Sequence, residues 1–132
     1  ITGLSRYEEA GAEASGRPVG SVLTITFQLE GQDFMALNGG PMFTFSPAVS
    51  FIVDCKTQEE LDEMWDKLSK GGDVEQCGWL RDKFGVSWQV VPTVLGEMMK
   101  DVDSEKTNRV MKALLQMKKL DIQALKEAYE GR

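Results

Sequence analysis

The 132-residue chain contains no histidine, only two cysteines and no long hydrophobic run. The absence of histidine excludes imidazole-dependent catalytic triads, His–carboxylate metal sites and imidazole acid–base catalysis. Cys55 and Cys77 are too few for a disulfide framework and do not form a CxxC motif. We therefore interpret both cysteines as small buried hydrophobic residues.

Basic residues are also scarce, with 15 Lys and Arg against 21 Asp and Glu and a formal charge of −6. An acidic chain repels nucleic acid and anionic membrane surfaces, so neither is expected as a partner. No apolar segment approaches the ~18 residues of a membrane span, and no basic-plus-apolar secretion signal opens the sequence. These absences predict a cytoplasmic protein.

The first part of the chain has the alternating pattern of β-strands. "ITGLSRY" predicts a short strand, and "EEAGAEASGRPVG" predicts a mobile loop because it is small and polar. Alternating apolar residues in "LTITF" predict a second strand, which "EGQD" turns into a hairpin with "FMALN".

The middle of the chain predicts a strand, a helix and a further hairpin. "AVSFIVDC" is rich in β-forming residues, and the next segment has apolar residues at helical spacing. Thr57 and Glu60 predict a capping box at the start of this helix, and Gly71 predicts its end. "DVEQCGWL" and "GVSWQVVP" then predict two strands joined through "RDKF". After them, "SEKTNRVMKALLQMKKL" and a segment beginning at Asp121 predict two C-terminal helices.

This order resembles the βαβββ unit of the vicinal-oxygen-chelate superfamily, which includes glyoxalase, bleomycin-resistance and extradiol-dioxygenase proteins. More narrowly, three segments resemble its PhnB-like branch, whose members often carry the name 3-demethylubiquinone-9 3-methyltransferase. The segments are "FMALNGGPMFTFSPAVSFIVDC", "CGWLRDKFGVSWQVVP" and "VMKALLQMKKLDIQAL".

The resemblance implies an α+β fold in which paired βαβββ units form a curved mixed sheet, with additional C-terminal helices. Residues 1–47 are expected to form a partial first unit of strand, mobile loop and hairpin, whose first strand and helix are absent from this chain. Residues 48–92 are expected to form a complete second unit, and residues 93–132 a helical extension, all within one structural domain. A homodimer is expected to cover the open sheet edge.

The resemblance also implies where a metal ion would bind in this superfamily. Its ligands come from the start of the first strand and the interior of the last strand, positions held here by Ala48, Gln89 and, in the first unit, about Met35. Alanine has no donor atom, methionine is a soft ligand, and an amide oxygen alone is a weak one. We therefore expect no metal, no cofactor and no catalytic residue.

Strand alternation predicts two faces of the sheet, one packed against the helix and the other lining a concave ligand-binding surface. Phe51 and Trp88 are predicted in the core, together with Val49, Val53, Val86 and Val90. The predicted pocket residues are Met35, Leu37, Ala48, Ser50, Ile52, Ser87 and Gln89. Alternatively, these residues only fill the sheet, and Gln89 hydrogen-bonds a neighbouring serine or backbone group.

These expectations lead to a metal-free protein that binds a small apolar or aromatic molecule and has no assigned reaction. The alternative is an enzyme of the same superfamily, either a glyoxalase-like isomerase or lyase or the methyltransferase of the family name. "NGG" at Asn38 precedes a proline-containing loop and lacks the following helix of a typical S-adenosylmethionine site.

Overall fold

Seven strands and five helices make up the protein in the computed structural model, which describes residues 1–132. In chain order they are β1 (Gly3–Arg6), α1 (Glu9–Ser15), β2 (Val22–Leu29), β3 (Gln32–Leu37), β4 (Phe51–Cys55), α2 (Gln58–Ser69), β5 (Asp73–Val74), β6 (Trp79–Arg81), β7 (Ser87–Pro92), α3 (Thr93–Met98), α4 (Ser104–Leu114) and α5 (Ile122–Glu130). The predicted α+β class with C-terminal helices is confirmed. The chain divides into two compact units, Ile1–Thr44 and Phe45–Arg132, which are considered separately below. None of the helices has the length and hydrophobicity needed to cross a membrane.

The first unit is an antiparallel sheet in the order β1-β2-β3. On one face the rings of Phe27 and Phe34, which are directly opposite each other, stack with centroids 5.6 Å apart. Tyr7 is buried, and its hydroxyl donates to the Asn38 carbonyl oxygen at 2.5 Å. This bond ties the end of β1 to the end of β3.

Helix α1 lies where the sequence predicted a mobile loop, so that prediction was wrong for residues 9–15. The segment contains alanine and glutamate, which are good helix formers. Ala12 is buried, and Gly16 ends the helix at φ 70° with its N–H bonded to the Ala12 carbonyl. Ala12 is the one buried residue of this helix, so the segment has no apolar stripe and its composition resembles that of a loop.

The second unit contains a mixed sheet in the order β4-β7-β6-β5. Strand β4 is parallel to β7, and α2 lies between them in sequence, whereas β7, β6 and β5 are antiparallel neighbours. The element order β4-α2-β5-β6-β7 is the predicted βαβββ order. The sequence predicted one strand over residues 73–80, but Cys77 and Gly78 both have positive φ, 59° and 80°, and interrupt it.

Helix α2 begins as predicted, because the Thr57 hydroxyl accepts a hydrogen bond from the Glu60 N–H at 3.2 Å. The Glu60 carboxylate in return accepts from the Lys56 N–H at 2.7 Å. Leu61 and Trp65 of this helix are buried against Leu80 and Val90 of the sheet. The predicted apolar stripe therefore forms the centre of the core.

The C-terminal helices complete this core. Met98, Val110, Leu120 and Leu125 belong to the same buried cluster as α2 and the sheet. Helix α3 was not predicted, whereas α4 and α5 were. The backbone N–H groups of Cys77 and Gly78 donate to the carbonyl groups of Met117 and Lys118, both at 2.8 Å. The residues that interrupt the strand therefore attach the sheet to the helical extension.

Candidate ligand-binding face

One face of the second sheet is not covered by α2. Register places Gln89 of the central strand β7 directly between Ile52 of β4 and Trp79 of β6. Side chains at directly opposite positions point to the same side of a sheet. None of these three residues belongs to the buried cluster, and Ile52 is 60% exposed. We call the surface formed by Ile52, Trp79 and Gln89 the open face.

The opposite side of the same strands is the core face. Trp88 is opposite Leu80 and Phe51 in the register, and Leu80 is fully buried. The rings of Phe51 and Trp88 lie 5.3 Å apart between centroids. The separation of Trp88 from Gln89, predicted from strand alternation, is therefore present in the structure. Phe51 is 40% exposed, and Val49, predicted in the core, is 74% exposed.

Gln89 makes a side-chain hydrogen bond on the open face. Its Nε2 donates to the Ser50 hydroxyl oxygen at 3.0 Å. No buried side-chain nitrogen or oxygen lacks a partner in this protein, so the Gln89 Oε1, which has no hydrogen bond within the chain, reaches solvent. The amide is thus held at one end and presents an acceptor at the other.

Trp79 is the residue of this face that sequence reasoning missed. Its indole N–H has no hydrogen-bond partner within the chain, and it likewise reaches solvent. The indole N–H of Trp88, in contrast, donates to Asp82 Oδ2 at 2.9 Å. The signal in the sequence was the order Trp79-Leu80-Arg81, but a three-residue strand is too short to assign its faces by alternation.

Ala48 is placed differently from the expectation, whereas Ser87 lies on the predicted face but is buried. Ala48 was predicted in a strand, but β4 begins at Phe51 and Ala48 lies in a turn. The reason is Ser46, whose hydroxyl accepts from the Ala48 N–H at 3.2 Å and whose carbonyl accepts from the Val49 N–H at 3.3 Å. Ser87 is on the same strand face as Gln89, but it is only 4% exposed.

Met35 and Leu37 lie in the first unit, on the face of β3 that also carries Asp33. Both are about two-thirds exposed, at 67% and 66%. Met35 borders an open hollow of about 510 Å³, whose other lining residues are Thr2, Thr26, Gln28, Asp33 and Phe34. The structure therefore brings Ser50, Ile52 and Gln89 together in the second unit. That Met35 and Leu37 share a pocket with them stays a prediction.

Ala48 and Gln89, which the sequence resemblance places at metal positions, are a poor donor set for a divalent cation. Ala48 supplies no side-chain donor atom, and the Gln89 amide oxygen is a single neutral ligand. No group of three His, Cys, Asp or Glu side chains in the protein is placed to hold a metal ion.

Asp82 organises the turn between β6 and β7. Its Oδ1 accepts the N–H groups of Phe84 at 2.9 Å and Val86 at 3.0 Å, and its Oδ2 accepts the Trp88 indole. Gly85, at φ 88°, closes the turn by donating to the Asp82 carbonyl at 3.0 Å. The sequence predicted only a solvated turn here, and the structure shows a carboxylate that orients a core tryptophan.

Cys55 is 2% exposed, and burial raises the pKa of its thiol, with the charges of Glu60 and Asp54 acting in the same direction. A raised pKa keeps the thiol protonated and unreactive near neutral pH. Both cysteines are free, and Cys77 is only partly buried. The interpretation of Cys55 as a small buried hydrophobic residue is confirmed.

Most of the chain matches a known protein family. The family model of 3-demethylubiquinone-9 3-methyltransferase matches residues 1–91. A solved structure of a PhnB protein from Bacillus cereus, which also carries the name 3-demethylubiquinone-9 3-methyltransferase, is 38% identical, with a TM-score of 0.61 over 70% of this chain and 78% of that one. A Pseudomonas aeruginosa protein structure is 18% identical, with a TM-score of 0.48 over 56% of this chain and 65% of that one. No curated protein matches the chain. The chain belongs to the 3-demethylubiquinone-9 3-methyltransferase family and is PhnB-like.

Proposed function

We propose that the protein binds a small uncharged molecule on the open face of its second sheet, without a metal ion. The observation that carries this proposal is the Gln89 amide, held by Ser50 at 3.0 Å between exposed Ile52 and partly exposed Trp79. An apolar surface with a few oriented polar groups is the usual composition of a small-molecule site. The amide supplies orientation, and Ile52 supplies apolar contact.

The charges on this side of the sheet disfavour an anionic ligand. Arg81 lies two residues beyond Trp79, but its guanidinium pairs with the Asp73 carboxylate at 2.6 Å. Gln89 itself has no charge. Asp54, two residues after Ile52 on the same face of β4, is an exposed carboxylate without an ion pair, so an anionic ligand would meet a negative charge and no free positive one.

Phenol and cyclohexanol are suitable probes, followed by NMR of isotope-labelled protein. We expect the signals of Ile52 and the Gln89 side-chain amide to shift with at least one probe, and Ile52→Asp to abolish the shifts. Val102→Asp is the matched control, since Val102 is fully exposed elsewhere and its variant should bind as the wild type does. Unchanged open-face signals with both probes would overturn the proposal.

The metal content of the purified protein can be measured directly. Elemental analysis of protein purified without chelators should find no stoichiometric divalent cation. A divalent ion bound one to one, and lost in Gln89→Leu, would show that the amide is a ligand after all. Gln89→Leu should also weaken the binding of phenol while leaving the fold intact.

We also propose a homodimer of the vicinal-oxygen-chelate superfamily. The β4-β7-β6-β5 order with its crossover helix supports the superfamily, and β4 is an unpaired edge of its sheet within this unit. Phe45, Val49 and Phe84 are exposed apolar side chains of the same unit, a composition typical of association surfaces. Light scattering should give twice the chain mass of 14.7 kDa, and the monomer mass at all concentrations would refute the dimer.

A further inference from the structure

We propose that the open face selects a planar heterocycle that carries a hydrogen-bond donor and an acceptor on one edge. This inference rests on the proposed function and specifies the ligand of the same site. It depends on Trp79, whose indole is the cross-strand neighbour of the Gln89 amide. Directly opposite side chains have Cβ atoms about 4.5–5.5 Å apart, so one small ligand reaches both.

The two side chains offer complementary groups. Gln89 presents Oε1, an acceptor, because its Nε2 is bonded to Ser50. Trp79 presents an indole N–H, a donor, and neither atom has a partner within the chain. A ligand that satisfies both must donate to Gln89 and accept from Trp79. A cyclic amide does this with its adjacent N–H and C=O groups.

The aromatic ring of Trp79 adds a preference for planarity. The indole N–H lies in the plane of the ring, so the ligand meets Trp79 edge-on, and a flat ring keeps its acceptor, donor and ring atoms in one plane, which a puckered ring does not. The other tryptophans do not offer this surface, since Trp65 is buried in the core and the Trp88 N–H is bonded to Asp82. Ile52, on the opposite side of Gln89, provides the apolar contact for the far edge of the ring.

Three compounds separate these features: 2-pyridone, 1-methyl-2-pyridone, which lacks the donor, and δ-valerolactam, which lacks the planar ring. One hydrogen bond contributes roughly a three- to tenfold change in affinity, so 2-pyridone should bind at least threefold more tightly than 1-methyl-2-pyridone. It should also bind more tightly than δ-valerolactam, which keeps both hydrogen bonds and lacks only the planar ring. In NMR titrations, 2-pyridone should shift the indole N–H signal of Trp79 and leave those of Trp65 and Trp88 in place. Variants Trp65→Phe, Trp79→Phe and Trp88→Phe assign the three signals.

The variants distinguish this inference from the proposed function. Trp79→Phe keeps an aromatic ring and loses the N–H, so it should weaken 2-pyridone binding roughly three- to tenfold. Trp79→Leu should remove the preference for 2-pyridone over δ-valerolactam. If all three compounds shift Ile52 and Gln89 equally, and Trp79 does not respond, the heterocycle preference is wrong and the binding face stands. If neither these compounds nor phenol and cyclohexanol shift any open-face signal, both proposals fail.

Discussion

The indole N–H of Trp88 donates to Asp82 Oδ2 at 2.9 Å, across the turn that joins β6 to β7. The same carboxylate accepts two backbone N–H groups of the turn. One acidic side chain therefore links the turn conformation to the position of a core aromatic residue. Hydrogen bonds to charged groups are stronger than neutral ones, which makes this carboxylate the first target for mutation.

Asp82→Ala should destabilise the protein by about 2–4 kcal/mol, because three donors lose their acceptor and Trp88 loses its anchor. Urea unfolding of wild type and variant measures the change in the free energy of unfolding. Lys83→Ala, at the exposed neighbouring position, is the control and should stay within about 0.5 kcal/mol of wild type. Equal stabilities of the two variants would contradict the assigned role of Asp82.

Gly78→Ala should destabilise the protein more than Gly31→Ala, although both glycines have positive φ, 80° and 77°. A Cβ at Gly78 would lie 2.8 Å from the Val90 carbonyl oxygen, whereas nothing lies within 4 Å at Gly31. Backbone strain alone costs about 1–2 kcal/mol at Gly31, and crowding raises the total at Gly78 to about 2–5 kcal/mol. Thermal or urea unfolding compares the two variants. A smaller effect at Gly78 would show that the Cys77–Gly78 segment moves away from β7 without penalty.

The two thiols should react at different rates with a neutral thiol reagent at mildly alkaline pH. Cys77 is partly exposed, whereas Cys55 is buried and has a raised pKa. We expect one thiol per chain to react quickly and the second only when the core opens. Cys77→Ser should remove the fast phase and Cys55→Ala the slow one. Two fast phases in native protein would contradict the burial of Cys55.

Tyr129 should titrate above the usual tyrosine range because its hydroxyl donates to the Asp101 carboxylate. This hydrogen bond raises the pKa of Tyr129 and is the first cause that lowers the pKa of Asp101. The Tyr129 contribution to stability is complete below the unfolded tyrosine pKa of about 10 and is lost as the pH rises through the higher folded value. The Asp101 contribution is present above the unfolded aspartate pKa and is lost as the pH falls through the lower folded value.

Alkaline titration of tyrosinate absorbance tests this pair, with Tyr129→Phe identifying the Tyr129 transition. Asp101→Asn should move that transition to lower pH, because a neutral amide accepts a weaker hydrogen bond than a carboxylate. Asp103→Asn is the comparison variant, since Asp103 raises the pKa of Tyr129 only as the last of its causes. A Tyr129 transition that is unchanged in Asp101→Asn would rule out the assigned cause.

Predictions from sequence succeeded where several local signals agreed. Helix α2 has an apolar stripe together with Thr57, Glu60 and a terminating glycine, and its start formed as predicted. The six-residue strand β7 is long enough for alternation to separate Trp88 from Gln89. The prediction failed for helix α1, because a seven-residue helix is too short to show a clear apolar periodicity. The strand prediction was wrong for Ala48, because the N–H groups of Ala48 and Val49 donate to Ser46 in a turn and β4 begins only at Phe51.

The candidate site was predictable only in part. Ser50, Ile52 and Gln89 could be placed together on one side of the sheet because β4 and β7 have recognisable strand patterns. Trp79 was missed because β6 is short and its face is defined by pairing with Gln89, a residue ten positions away. The role of Asp82 was also missed, since a turn aspartate and a following tryptophan do not reveal their hydrogen bond.

The sequence by itself determined the family, the α+β class and the absence of histidine chemistry, because composition and ordered local patterns carry that information. Only the tertiary structure decided that Trp79, Gln89 and Ile52 form one row, and that Cys77 and Gly78 attach the sheet to the C-terminal helices. These relationships join residues on different strands and helices. Strand register and helix packing arise from the whole core, and local preferences do not specify them.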